Sequence, residues 1–234
     1  MKKIFFGVAV GILSTTGAWA SLIGTTDPTA FNDSVDWCIQ FGCNGQTLAS
    51  PSSWTSAHGN TGDIGLDSSV GIQSSYVLQQ GSTWMGNFPA GMGVIYNGVS
   101  FGNTPAKIAA TMNQGVYGAG AYIQTDFFTY DFVASIELFD IHFQSLGVFF
   151  AHGVSSFEEE GLFIGARINS PDVWAVEFNT TQLVPEGHDG DFAIGTLKLA
   201  TVPEPASLFL TASALLALVG VMRRRKARNP EEAL

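Results

Sequence analysis

The chain has 234 residues, 46% of them hydrophobic and 13% charged, with 20 acidic against 10 basic side chains for a formal charge of −10. Seven of the basic residues lie in the terminal segments, so residues 21–201 hold eleven Asp and six Glu against Lys107, Arg167 and Lys198, a formal charge of −14. A body so poor in Lys and Arg excludes nucleic-acid binding and electrostatic adhesion to anionic lipid, and suits solvent, neutral glycans or cations.

At the N-terminus, Lys2 and Lys3 precede an apolar run over 4–13, and Ala18-Trp19-Ala20 places small residues at Ala18 and Ala20, the two positions a signal peptidase inspects. Residues 1–20 therefore read as a signal peptide cleaved after Ala20. Residues 21–201 form one domain-sized body, long enough to bury a substantial core. Its two cysteines, Cys38 and Cys43, sit in C-I-Q-F-G-C, and in an exported chain so close a pair reads as a disulfide stapling the N-terminal region. The stretch 21–67 is rich in Ser, Thr, Asn and Gly and predicts long loops with a few early strands. Beyond it the dominant period is two: Phe132, Ala134, Ile136 and Leu138 alternate with Val133, Ser135, Glu137 and Phe139, and Trp174, Val176 and Phe178 alternate with Val173, Ala175 and Glu177. Further runs at 70–78, 94–96, 116–123, 146–151, 162–167 and 192–199 are separated by turn material such as Asn97-Gly98 and Gly187-His188-Asp189-Gly190. With no sustained helical stripe, the pattern predicts an all-β fold, an antiparallel jelly-roll-like sandwich, with an immunoglobulin-like topology also open.

Three kinds of chemistry are worth weighing in the body. Asp140 and His142 share a face if the strand beginning at Ile136 runs on to His142, but strand-end acids are more often solvated turn residues, and no G-x-S-x-G elbow is present. Asp189-Gly190-Asp191 has the composition of a calcium loop, which Asp126, Asp131, Asp27 or Asp33 could complete if the fold brings them near; the ordinary reading is a polar turn, and no cofactor is expected. Trp37, Trp54 and Trp84 lie in loop-rich sequence and read either as plugs over the core or as platforms for sugar rings, whereas Trp174 reads as a core residue.

Past the body, Pro203-Glu204-Pro205 is followed by an uncharged apolar run over 206–222 and a basic cluster at 223–228 containing Arg223, Arg224, Arg225, Lys226 and Arg228; residues 229–234 form a short tail. The 17-residue run is a candidate membrane-spanning helix, and the arginines would hold its C-terminal end on the cytoplasmic side. Pro-Glu-Pro, span and basic cluster in that order resemble the PEP-CTERM sorting signal of Gram-negative bacteria, over roughly residues 202–228. The resemblance implies export across the inner membrane, recognition by a membrane-embedded exosortase that cleaves near Pro-Glu-Pro, and delivery to the cell surface or extracellular matrix. The body is similar to a recurrent ectodomain type on such proteins through P-S-S-W-T-S at 51–56, G-A-G-A-Y-I-Q at 118–124, L-F-I-G at 162–165 and D-F-A-I-G-T-L at 191–197, the last resembling a closing strand. The resulting expectation is a non-enzymatic surface or matrix protein, structural or adhesive in an exopolysaccharide. The alternatives are a secreted hydrolase acting on matrix glycan and a carbohydrate-binding module.

Overall fold

A computed structural model describes residues 21–67, 75–98, 106–126, 130–156, 161–182 and 191–201. Ala18, Ala20, Pro203, Glu204, Pro205, Arg223, Arg224, Arg225 and Asp189, and with them the predicted signal peptide and membrane span, lie outside the described residues. Among those described, no helix is long and apolar enough to cross a membrane.

The chain enters through β1 (Ile23–Thr25), a 3-10 turn (Pro28–Ala30), β2 (Asp33–Val35), a short helix α1 (Trp37–Phe41), β3 (Gln46–Leu48), β4 (Ser52–Thr55) and β5 (Thr61–Asp67). It continues through β6 (Ser75–Gln79), β7 (Gly93–Tyr96), β8 (Lys107–Val116), β9 (Gly118–Thr125), β10 (Asp131–Phe139), β11 (Ser145–Val154), β12 (Leu162–Arg167), β13 (Val173–Gln182), β14 (Phe192–Ile194) and β15 (Leu197–Ala200). One sheet runs β1-β12-β9-β14-β7-β6-β3, with β15 joining β9 to β2; the other runs β11-β10-β13-β8-β5-β4, and their strand pairings are antiparallel throughout. The all-β antiparallel sandwich read from the sequence is therefore present.

Its core is the layer between the sheets. From the six-stranded sheet, β10 buries Phe132, Ala134, Ile136 and Leu138 while Val133, Ser135 and Glu137 face out, and β8 buries Ile108, Ala110 and Met112 on the same alternation. The other sheet answers with Ala119, Ala121 and Ile123 of β9, Ile164 and Ala166 of β12, and Leu197 and Leu199 of β15, all in one cluster. Each Ile, Leu or Phe fully removed from water contributes about 1.5–3 kcal/mol, which makes this layer the main source of stability. The outer face of the larger sheet is itself covered in part, where Trp84, Phe88 and Tyr96 cluster with Val94 and Ala193.

Several expectations change in detail. The run 192–199 is not one strand: β14 and β15 both pair with β9 but have different outer neighbours, β7 and β2. Between them Gly195 donates its N–H to Tyr122, and its carbonyl accepts the Trp37 indole N–H at 2.7 Å, so Trp37 closes the break. Trp174 is not a core residue. The pairing of β13 with β8 shifts register between Val173 and Ala175, and this irregularity changes the phase of the alternation: Val173, Val176 and Phe178 point inward while Trp174 is half-buried outside. Trp37, Trp54 and Trp84 are all buried, which makes them plugs and not sugar platforms.

In α1, Asp36 caps the N-terminus by accepting from the N–H groups of Cys38 and Ile39, and Gly42 ends the helix at φ +76°, a conformation favoured only for glycine. A disulfide joins Cys38 to Cys43 across that turn, with the Cα atoms 4.9 Å apart. A Cβ on Gly93 would lie 2.7 Å from the Cys38 nitrogen, so β7 passes directly beneath the bridge. Closing so short a loop restricts the unfolded chain little, and replacing both cysteines by serine is expected to lower stability by about 2 kcal/mol, read from the urea midpoint under non-reducing conditions.

Candidate functional site

Two polar clusters stand out, one at each end of the sandwich. The ends follow from the register. Ala200 and Arg167 both pair with Gly118, and Ile23 pairs with Arg167. Val173 pairs with Val116, and Phe139 with Ala175 two residues away. The chain start, the β4–β5 turn, Tyr117, the β10–β11 turn and Thr201 consequently share one end, here termed the exit end.

At the far end, Asp126 follows β9 and Asp191 precedes β14. Thr125 pairs with Phe192, so these two aspartates are neighbours across the strand ends, and the Asp126 N–H donates to the Asp191 carbonyl at 2.9 Å. Tyr96 on β7 donates its hydroxyl to Asp126 at 2.8 Å and lies 3.5 Å from Asp191. Burial pushes the Tyr96 phenol well above its ordinary range, and the two carboxylates add to the rise by opposing a phenolate. The tyrosine thus remains a hydrogen-bond donor between two acids. Of the residues considered for a calcium loop, the fold joins Asp126 to Asp191; Asp33 is at the exit end, Asp27 beside the 3-10 turn, and Asp131 starts a strand of the other sheet. Among the described residues there is no group of three or more His, Cys, Asp or Glu side chains that could hold a metal.

At the exit end, Asp33 of β2 is buried and accepts hydrogen bonds from the Ser56 hydroxyl, the Asn60 amide at 2.6 Å, and the N–H groups of Ser34 and His58 at 2.7 and 3.0 Å. Ser56, His58 and Asn60 belong to the turn between β4 and β5, so this carboxylate ties the smaller sheet's turn to a strand of the larger sheet. Burial alone would raise its pKa, but the four hydrogen bonds outweigh burial and hold it below the usual carboxylate range. Ser, His and Asp meet here without a catalytic order. Ser56 donates to the aspartate and not to the histidine, and His58 Nδ1 lies 3.8 Å from Asp33 with its ring mostly exposed. A hydroxyl held this way is a structural donor, because an activated serine needs the imidazole as its acceptor.

The strand bearing Glu137 stops at Phe139, so Asp140 and His142 do not share a strand face. Asp140 instead accepts from the N–H groups of His142 and Gln144, both at 2.8 Å, and so shapes the β10–β11 turn. Glu137 stands opposite Glu177 on the outer face, where Lys107 is ion-paired with Glu177. Two grooves, of about 400 and 370 Å³, are lined by other residues: one includes Asp63 and Thr111, the other Phe31, Met92, Tyr122 and Lys198. Sequence reading missed the Asp33 clamp, whose partners Ser56, His58 and Asn60 lie 23 to 27 residues away, although Ser56-Ala57-His58-Gly59-Asn60 has the composition of a turn.

The class defined by these features is an antiparallel β-sandwich with a buried acidic clamp at one end and a paired-aspartate cluster at the other. No protein-family model matches the chain, and no curated protein matches it in sequence. Among solved structures it is similar to a DUF4465 family protein from Bacteroides caccae at 12% identity, with a TM-score of 0.35 over 82% of this chain and 98% of that one. It is also similar to the enzymatically active domain of tailspike protein 4 of bacteriophage CBA120 at 13% identity, with a TM-score of 0.23 over 76% of this chain and 20% of that one.

The Asp33 clamp generates a prediction with a pH signature. Asp33→Ala strands four donors and is expected to cost about 3 kcal/mol at neutral pH. Because the folded pKa is depressed, this carboxylate's ionic contribution is complete above its unfolded value and is lost as pH falls through the folded one. The stability gap between wild type and variant should therefore narrow below about pH 4, measured by urea titrations from pH 7 to 3.

Proposed function

We propose that the protein is an exported, non-enzymatic surface or matrix protein, delivered through a PEP-CTERM-type tail and structural or adhesive within an extracellular polysaccharide. The observation that carries this reading is where the folded body stops. β15 pairs on both edges and buries Leu197, Leu199 and Ala200, Thr201 is still hydrogen-bonded to Asn32, and Pro203-Glu204-Pro205 begins two residues later. The sorting tail thus begins at the edge of a complete domain, where a membrane-embedded processing enzyme can handle it without unfolding the body. A disulfide in the first third of the chain suits an oxidising compartment.

A jelly-roll-like topology is supported by the connections β8–β9, β9–β10, β11–β12, β12–β13 and β13–β14, each of which crosses between the sheets. The non-enzymatic reading draws on the engagement of Ser56 with Asp33, the turn role of Asp140, and the placement of Glu137 opposite Glu177 on an outer sheet face. A glycan hydrolase would instead need two carboxyl groups facing across a cleft. For a carbohydrate-binding module, the groove lined by Phe31, Tyr122 and Lys198 is the surface to test, since the loop tryptophans are buried.

Replacing Arg223, Arg224 and Arg225 together by Glu should remove the positive-inside bias and release the C-terminus from the cytoplasmic side. Protease protection of a C-terminal epitope in spheroplasts reads this directly, and unchanged protection in the triple variant would refute the assigned orientation.

Calcium at the far end is the alternative to a polar turn, and the fold brings two of the considered carboxylates, Asp126 and Asp191, together there. Calcium binding to the native state alone would raise stability by about 2.7 kcal/mol at a hundredfold excess over Kd. The expected outcome is equal melting temperatures in calcium chloride and in sodium chloride of matched ionic strength; a higher temperature in calcium, abolished in Asp126→Asn/Asp191→Asn, would establish the ion.

A further inference from the structure

The β10–β11 turn at the exit end has two features that the fold does not require. Ile141 and Phe143 are 54% and 68% exposed, and Phe143 adopts φ +57°, a left-handed conformation that is costly for a bulky side chain and is ordinarily given to Gly or Asn. Asp140 already closes the turn through its carboxylate and backbone, so neither side chain is needed to form it. Retaining an exposed ring on a strained backbone implies a use for the ring.

The same end carries the exit of the chain. Ile23, 55% exposed, begins β1 beside it, and half-buried Tyr117 lies there as well. After Thr201 four residues, V-P-E-P, precede the apolar run that begins at 206, and the five residue steps from Thr201 to Ala206 span at most about 18 Å. Thr201, at the exit end, is thus held within about 18 Å of the start of that run.

We propose that the tip formed by Ile141 and Phe143 inserts into the headgroup layer of the bilayer that receives residues 206–222, so that the sandwich stands on the membrane, exit end down. This proposal rests on the reading of 206–222 as a membrane span. The lipid recognised is zwitterionic: the body is strongly acidic, so contact depends on burying apolar side chains at the headgroup–acyl boundary and not on attraction to anionic lipid. The consequence for sorting is that Pro203-Glu204-Pro205 is kept close to the membrane surface.

The test uses the full chain reconstituted in phosphatidylcholine vesicles, with single tryptophans introduced as Phe143→Trp, Ile141→Trp and, as control, Val154→Trp. Val154 is at the other end of β11, about 30 Å along the strand. The two tip probes report independently, so a folding defect in one leaves the other. For the tip variants, the emission added over wild type should fall about twofold with lipids doxyl-labelled near the headgroup and be shielded from aqueous iodide, whereas the Val154→Trp emission should remain open to iodide. Tip probes quenched by iodide as in a free turn would overturn the proposal even when alkaline carbonate leaves the protein membrane-bound. Release of the protein by carbonate would overturn the span reading and the tip proposal together. Equal doxyl quenching at Val154 would show the hairpin lying flat, and shielding that varies with protein density without doxyl quenching would assign the tip to a second copy; either overturns the insertion.

Discussion

The two sheets are held by a single layer of apolar side chains supplied at alternate positions, and the remaining features of the structure depend on burying it. Large and small residues are divided between both sides of the layer: Phe132, Ile136 and Phe178 of one sheet share the cluster with Ala119 and Ala121 of the other, and Ala110 and Ala134 of the first share it with Ile164 and Phe192 of the second. That division lets the backbones approach while the volume stays filled, the condition for native packing density. The glycines of β9 act on the opposite face in a similar way. A Cβ on Gly120 would lie 2.7 Å from the Phe163 ring, so the aromatic cover on the outer face of the larger sheet is seated against bare backbone. Asp33 secures one margin of this arrangement and the Cys38–Cys43 bridge another, with Cys43 packed against the layer.

Much of that layer was legible in the sequence, because a half-buried strand shows its period directly. β10 and β12 occur where alternation and apolar composition placed them. β8 was legible only at its last residue, since K-I-A-A-T-M-N-Q-G-V dilutes a clear inward set of Ile108, Ala110 and Met112 with Ala, Asn and Gln, residues with little preference for strands. Trp174 was misread for a different reason: the register shift beside it resets the period, and an irregularity of this kind is a property of strand pairing that one strand's sequence does not display. The five-residue helix was too short to show a stripe, although its Asp36 and Gly42 are recognisable caps in hindsight.

The candidate sites were less legible than the fold. Asp191 was visible as an acid at a strand mouth, but its partners Tyr96 and Asp126 are 95 and 65 residues away and become neighbours only through the order of β7, β14 and β9. Asp140 failed as a strand residue because its side chain offers the backbone a turn, a local competition that composition alone leaves undecided. In this body, with seventeen acids and three bases, the carboxylates of Asp27, Asp33, Asp36, Asp63, Asp126 and Asp140 accept from N–H and O–H donors, which lower their energy without requiring the missing cations.

The position of the closing strand also sets a timetable for folding. β15 supplies one edge of β9 and the pairing edge of β2, so strands separated by more than eighty residues remain open until the final stretch of the body is available. Contacts of this range make folding slow, and strand edges left waiting are templates for intermolecular pairing. A nascent chain that has delivered residues 21–190 is therefore an unfinished sandwich that lacks β14 and β15 and leaves their edges on β7, β9 and β2 unpaired. Loss of residues 191–201 would not produce a smaller version of the domain; it would leave that intermediate as the end point, available to proteases and to aggregation.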